Sequence, residues 1–188
     1  MFARLQQFGL SIFVKQVLLY VLIIMLISGV IGFLFFTTAR KHDEEEIGRK
    51  LQSVARISAR DTPFDYLELI RLGHDQTRNV LNMKSKLEDI RPTTGVDSIH
   101  VFRPGRSSLL DLDGRFRIGS TRRVPQFDAA LSAVLTTGEP AHTKSYRNTR
   151  DELIMSAYAP IMDLDGQLFA IVGVDGGAGE LAISASCS

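Results

Sequence analysis

Residues 152–175 read ELIMSAYAPIMDLDGQLFAIVGVD, two apolar runs around a short polar turn. The second run, QLFAIVGVD, is apolar at both strand parities: Leu168, Ala170, Val172 and Val174 on one side, Phe169, Ile171 and Gly173 on the other. A strand apolar on both faces must be covered on both, which places it at the centre of a sheet. Asp175 closes that strand with a carboxylate. Between the runs, Asp163-Leu164-Asp165-Gly166 has the opening of a calcium loop, but the chain that follows supplies neither the later oxygen ligands nor the closing glutamate. Asp-Gly instead offers the positive φ that a two-residue hairpin turn requires. The same tetrapeptide recurs at 111–114, again between apolar alternating runs, and is read as a second hairpin turn. Gly173, Gly176, Gly177 and Gly179 follow a strand, yet their spacing matches neither the dinucleotide fingerprint nor the phosphate loop.

Upstream of this hairpin the period-2 pattern continues. Strands are expected at 98–104, on either side of Asp113-Gly114 within 108–120, and at 141–147. One short amphipathic helix interrupts them at 125–140, with Phe127, Leu131, Val134 and Leu135 on one side and Gly138 as its stop. Before Gly95 the period is 3.6. Asp61 or Thr62 can cap a helix with Pro63 in its first turn; Gly73-His74 interrupts it and Asp75 restarts it. Val80, Met83, Leu87 and Ile90 then repeat at 3,4,3 spacing, and residues 91–95 end the helix. Strands joined by tight turns, preceded by long helices that can cover one face, define an α+β fold with an antiparallel sheet.

The N-terminal segment carries the strongest single signal. No charged residue lies between Gln16 and Ala39, and Val17–Phe36 is almost wholly apolar. At 1.5 Å per residue such a run crosses a hydrocarbon core of ~30 Å. It exceeds the core of a signal peptide, about 7–15 residues, and it lacks the polar face of a soluble helix. The helix is expected to continue beyond the membrane, with Glu45–Arg49 and Glu46–Lys50 paired at i,i+4 and Ile47, Leu51 and Val54 forming an apolar stripe. The acidic residues at 43–46 are read as a solvated helix face. Arg4 and Lys15 precede the span, and Arg40, Lys41, Arg49 and Lys50 follow it, so charge alone does not orient it.

Composition excludes several classes. With 22 Lys+Arg against 21 Asp+Glu, no global field favours nucleic acid. One cysteine, Cys187, cannot form an internal disulfide. His42, His74, His100 and His142 are scattered, and no catalytic or metal-ligand spacing is present. The expectation is a protein without enzymatic activity, cofactor or metal.

The hairpin resembles the last hairpin of extracytoplasmic Cache sensor domains, which have a PAS-like fold. The resemblance rests on Ser156-Ala157-Tyr158-Ala159-Pro160-Ile161, then Asp163 and Gly166, then Gly173-Val174-Asp175. Residues 127–147 look like the family's short helix, its Gly-Glu-Pro break and the next strand, and the membrane helix running into a long helix is similar too. The resemblance implies a bacterial single-pass inner-membrane receptor. Residues 1–16 would be a cytoplasmic tail, 17–39 the transmembrane helix, 40–95 an extracytoplasmic helical segment, 96–176 the sensor sheet, and 177–188 a C-terminal tail. It implies a small organic ligand, a carboxylate or an amino acid, held between the sheet and its covering loops, and a homodimer through the N-terminal helix. A second span and an output domain usually follow in such receptors. Here GGAGELAISASCS follows Asp175, so the expectation is a sensor module lacking its output domain.

Six residues are candidate ligand contacts: Arg122 and Arg123 before the short helix, Tyr146 and Arg147 at the end of a strand, and Tyr158 and Asp175 on the hairpin. Arginine suits a planar carboxylate, aspartate an amine, and tyrosine a ring contact with a hydrogen-bonding tip. Against the sensor stands a second reading, a membrane-tethered interaction domain with no small ligand. An exposed apolar patch over a filled core would favour that one, and a partly polar pocket would favour the sensor.

Overall fold

The computed structural model describes residues 12–70, 77–121, 129–148 and 150–177. The chain divides into two units between His42 and Asp43. One long helix, α1 (Ile12–Arg60), runs through that boundary. In the first unit its large apolar side chains between Val17 and Phe36 are exposed, with no protein cover among the described residues. A run of this length without a polar face is suited to lipid rather than to a protein core, and α1 is a candidate membrane helix.

In the second unit α1 turns amphipathic. Ile47, Leu51, Val54 and Ala55 are buried, while Glu45–Arg49 and Glu46–Lys50 pair on the solvent side at 3.5 and 3.7 Å. Two shorter helices follow, α2 (Phe64–Glu68) and α3 (Arg78–Thr94). Val80, Met83 and Leu87 bury the expected face of α3. The cap expected of Asp61 or Thr62 does not form. Pro63 is the N-cap of α2 with no side-chain bond, because Thr62 Oγ1 instead donates back to Ser58 O at 2.7 Å. The interruption expected at Gly73-His74 and the restart at Asp75 lie outside the described residues.

The remainder is a six-stranded antiparallel sheet with one short helix, an α+β fold. Its elements are β1 (Ser98–Phe102), β2 (Ser108–Asp111), α4 (Ala129–Thr137), β3 (Ala141–His142), β4 (Tyr146–Arg147), β5 (Leu153–Met162) and β6 (Leu168–Gly177). The strand order is β2-β1-β6-β5-β3, with β4 also pairing β5. β6 is therefore interior, as its two apolar faces require, and every residue from Ala170 to Gly176 is buried.

Four local expectations are corrected. The turn at Asp163–Gly166 does join β5 to β6, but as a three-residue loop rather than a two-residue one. Asp163 N donates to Gln167 O at 2.8 Å, Asp163 Oδ1 accepts from Asp165 N and Gln167 N at 3.0 and 2.8 Å, and Gly166 closes the loop at φ 75°. The copy at 111–114 is not a hairpin. Asp111 Oδ2 accepts from Phe116 N at 2.9 Å, and the chain swings wide before Gly119 N reaches Ser108 O at 2.7 Å. Identical tetrapeptides thus diverge according to which backbone donor their aspartate captures. The strand expected at 141–147 is split into β3 and β4. His142 pairs Ala157 and Tyr146 pairs Ile154, so three residues face two and the segment bulges. In α4, Ala130, Leu131 and Val134 are buried while Leu135 stands 43% exposed, which takes it off the expected apolar face; Phe127 lies outside the described residues.

Candidate functional site

The two faces of the sheet differ in chemistry, and register shows how. On one face Ile99, Val174 and Ala157 align across β1, β6 and β5, followed by Val101, Val172 and Ala159. These side chains meet Leu51, Ala55, Leu67, Val80 and Leu87 in one continuous aliphatic core. On the other face the rows change in character along the strands. The first row is Ser98, Asp175 and Ser156; the second is His100, Gly173 and Tyr158; the third is Phe102, Ile171 and Pro160. α4 packs Ala130, Leu131 and Val134 over Phe102, Tyr158 and Ile171, so it covers the apolar end. The polar end borders a cavity of about 580 Å³.

The polar row is buried and internally bonded. Asp175 is 8% exposed, Ser98 4%, His100 2% and Ser156 0%. Ser156 Oγ donates to Asp175 Oδ1 at 2.6 Å, and it shares a 2.7 Å hydrogen bond with the Tyr146 hydroxyl. Ser156 N donates to Thr143 Oγ1 at 3.0 Å. His100 Nδ1 lies 3.9 Å from Asp175 Oδ2, and its ring stacks on Phe102 at 5.7 Å between centroids. Phe102 in turn meets Tyr158 edge to face at 6.2 Å. The imidazole lies over Gly173, where any Cβ would overlap its ring. Glycine at this strand position lets a histidine fold down between two strands.

The cavity walls carry both signs of charge: Arg91, Arg115 and Arg150 against Asp97, Glu152 and Asp175. Arg91 and Arg115 are anchored through a shared carboxylate, Asp113, at 3.4 and 2.9 Å. This pairing joins the last turn of α3 to the loop after β2. Asn148 and Glu152, bonded at 2.7 Å, supply a further polar edge. Such a cavity matches a small ligand that itself carries a carboxylate and a cationic or donor group. Among the described residues no group of His, Cys, Asp and Glu is arranged to hold a metal ion.

Of the six sequence candidates, the fold brings Tyr146, Tyr158 and Asp175 to one face. Arg147 sits on the next strand position, its Nη1 tied to Asp151 O at 2.8 Å and to Asp151 Oδ1 at 3.1 Å. Arg122 and Arg123 lie outside the described residues. Ser98, His100 and Ser156 each stand in a run that reads as an ordinary buried strand, and only cross-strand register reveals the polar rows they form. Arg91, a cation in a helix's last turn, already has a local explanation in the sequence, and only the fold places it in the cavity wall.

No family model and no curated protein matches the sequence. Solved structures match by fold. The sensor domain of E. coli DcuS superposes with a TM-score of 0.57 at 16% identity, over 77% of this chain and 98% of that one. The ligand-binding domain of the Campylobacter jejuni chemoreceptor Tlp3 in complex with L-valine gives a TM-score of 0.53 at 17% identity, over 93% of this chain and 68% of that one. The sensor domain of the V. cholerae histidine kinase DctB gives 0.50 at 11% identity, over 82% of this chain and 60% of that one. The fold is thus the PAS-like, Cache-type fold of receptor sensor domains. This is the fold that the Ala157–Pro160 and Gly173–Asp175 motifs imply.

Proposed function

We propose that the chain is a membrane-anchored extracytoplasmic sensor module that binds a small organic ligand at the polar end of the α4 face. The observation that carries this is the buried row Ser98–Asp175–Ser156 beside a charged cavity, in a sheet whose other face packs into an apolar core. A carboxylate buried for packing alone is costly, so its placement at a cavity wall is best explained by a ligand. Asp175 and Ser156 hold a donor group of that ligand, Tyr146 and Tyr158 contact its body, and Arg91, Arg115, Arg122 or Arg123 meets its carboxylate. Arg147 supports the 147–151 turn beside them. L-valine in the Tlp3 complex is a ligand of this general class.

In this reading residues 17–39 cross a bacterial inner membrane, residues 1–16 stay in the cytoplasm, and the helical segment 40–95 and sensor sheet 96–176 stand outside. Two copies associate through the N-terminal helix. The test is a thermal-unfolding screen of the full chain in lipid nanodiscs against amino acids and organic acids. A hit raises Tm in proportion to the logarithm of ligand concentration, and Asp175→Asn or Ser156→Ala weakens it at least tenfold. A hit indifferent to both substitutions would place the site elsewhere. A screen without hits would favour a protein-interaction domain.

A further inference from the structure

The connection from Pro140 to Tyr146 touches two places at once. On its inner side Thr143 exchanges backbone and side-chain bonds with Ser156: Thr143 N donates to Ser156 O at 2.8 Å, and Ser156 N donates to Thr143 Oγ1 at 3.0 Å. Tyr146 bonds the same serine through its hydroxyl. Ser156 is the residue that holds the Asp175 carboxylate. On its outer side the connection grips α1. Ser145 Oγ donates to the Glu44 carboxylate, the His142 ring lies where Gly48 has no Cβ, and Gln52 Nε2 donates to Pro140 O at 3.0 Å. Glu44, Gly48 and Gln52 are spaced i, i+4, i+8 and so form one stripe along the helix, beside the core stripe of Ile47, Leu51 and Val54.

We infer that the segment Pro140–Tyr146 is the coupling element between the Asp175 site and α1. It is the bulged, weakly paired part of the sheet: β3 and β4 have two residues each, and across the bulge Thr143–Ser145 are held by one backbone bond, from Thr143 N to Ser156 O, and by side-chain bonds. Few ladder bonds resist its movement, so a change at Ser156 is passed to the Glu44–Gln52 stripe instead of being absorbed by the sheet. Gly48 has a specific role here. Any larger residue would push the His142 ring off the helix and loosen the grip. The aliphatic contacts of α3 with the opposite sheet face share none of these bonds, and they stay fixed while the connection shifts.

The inference rests on the proposed ligand site, but it can be tested without a ligand. Hydrogen–deuterium exchange is followed on the full chain in nanodiscs for wild type, Thr143→Val, Thr143→Ser and Glu44→Ala. Losing one hydrogen bond of this kind is worth about a five-fold change in local opening. Thr143→Val is expected to speed exchange of amides 44–52 about five-fold while leaving amides 80–90 of α3 unchanged. Thr143→Ser, which keeps the hydroxyl, restores the wild-type pattern. Coupling is reciprocal, so Glu44→Ala speeds exchange at 141–147 and 154–157. The inference is overturned if Thr143→Val affects only its own strand neighbours, if 80–90 accelerates equally, or if Thr143→Ser fails to restore protection. A ligand screen without hits leaves this pattern intact, and a failed exchange pattern leaves the ligand site intact, so the two failures are distinguishable.

Discussion

The two faces of the sheet are built from the same strands yet obey different rules. Toward α1 and α3, β5 and β6 present Ala157, Ala159, Val172 and Val174, small and branched residues that let helices approach closely. Toward α4 the alternate positions hold Ser156, Tyr158, Gly173 and Asp175. The first face is what any α+β domain of this size needs for stability, since each fully buried Leu, Ile or Val contributes ~1.5–3 kcal/mol. The second gives up apolar area for a bonded polar row. A strand can serve both purposes because adjacent side chains point to opposite sides. The lesson is that burial alone does not separate core from site; the chemistry of each cross-strand row does.

The sharpest way to break the aliphatic face is Leu51→Ala. Leu51 is 1% exposed, and its truncation is expected to cost about 3 kcal/mol, read as a fall in midpoint by pulse proteolysis of the full chain in urea. Ligand affinity measured below that midpoint should stay unchanged. Gly173→Ala attacks the other face. The added methyl meets the His100 ring, and the cost is about 1–3 kcal/mol. The double variant with His100→Ala should lose clearly less than the sum of the two singles, because removing the ring makes room for the methyl. Additive losses would mean that the histidine is not what constrains Gly173.

Ser156→Ala comes next. It removes a donor to Asp175 and a partner of Tyr146, so about 1 kcal/mol of stability is expected to go, together with most of the ligand affinity. That outcome, small in stability and large in binding, is the reverse of the one expected for Leu51→Ala. The smallest effect belongs to Arg147→Ala. Its pair with Asp151 is open to solvent on both sides, and the change should lie within about 0.5 kcal/mol.

Much of this architecture could be read from the chain. The charge-free run from Val17 to Phe36, the doubly apolar β6 and the repeated spacing of Val80, Met83 and Leu87 are local patterns, and each leads directly to its element. Tyr146, Tyr158 and Asp175 stand out in the sequence by residue type, and the fold places them on one face of the sheet. What escaped is non-local. Ser98 and Ser156 join Asp175 in one row only when β1 and β5 flank β6 in one register. Arg91 and Arg115 meet only because Asp113 stands between them. The break between β3 and β4 depends on Thr143 finding Ser156, thirteen residues away. The divergent fates of the two Asp-Leu-Asp-Gly copies follow from the same cause, since Asp111 and Asp163 capture different donors.

The central question is whether the polar face, and not the aliphatic one, holds a ligand. The deciding measurement is the ligand-induced Tm shift of the full chain in nanodiscs, taken in parallel for wild type, Leu51→Ala and Asp175→Asn with the best compound from an amino-acid and organic-acid screen. The prediction is a shift retained in Leu51→Ala and abolished in Asp175→Asn. A shift of equal size in Asp175→Asn and wild type would contradict it.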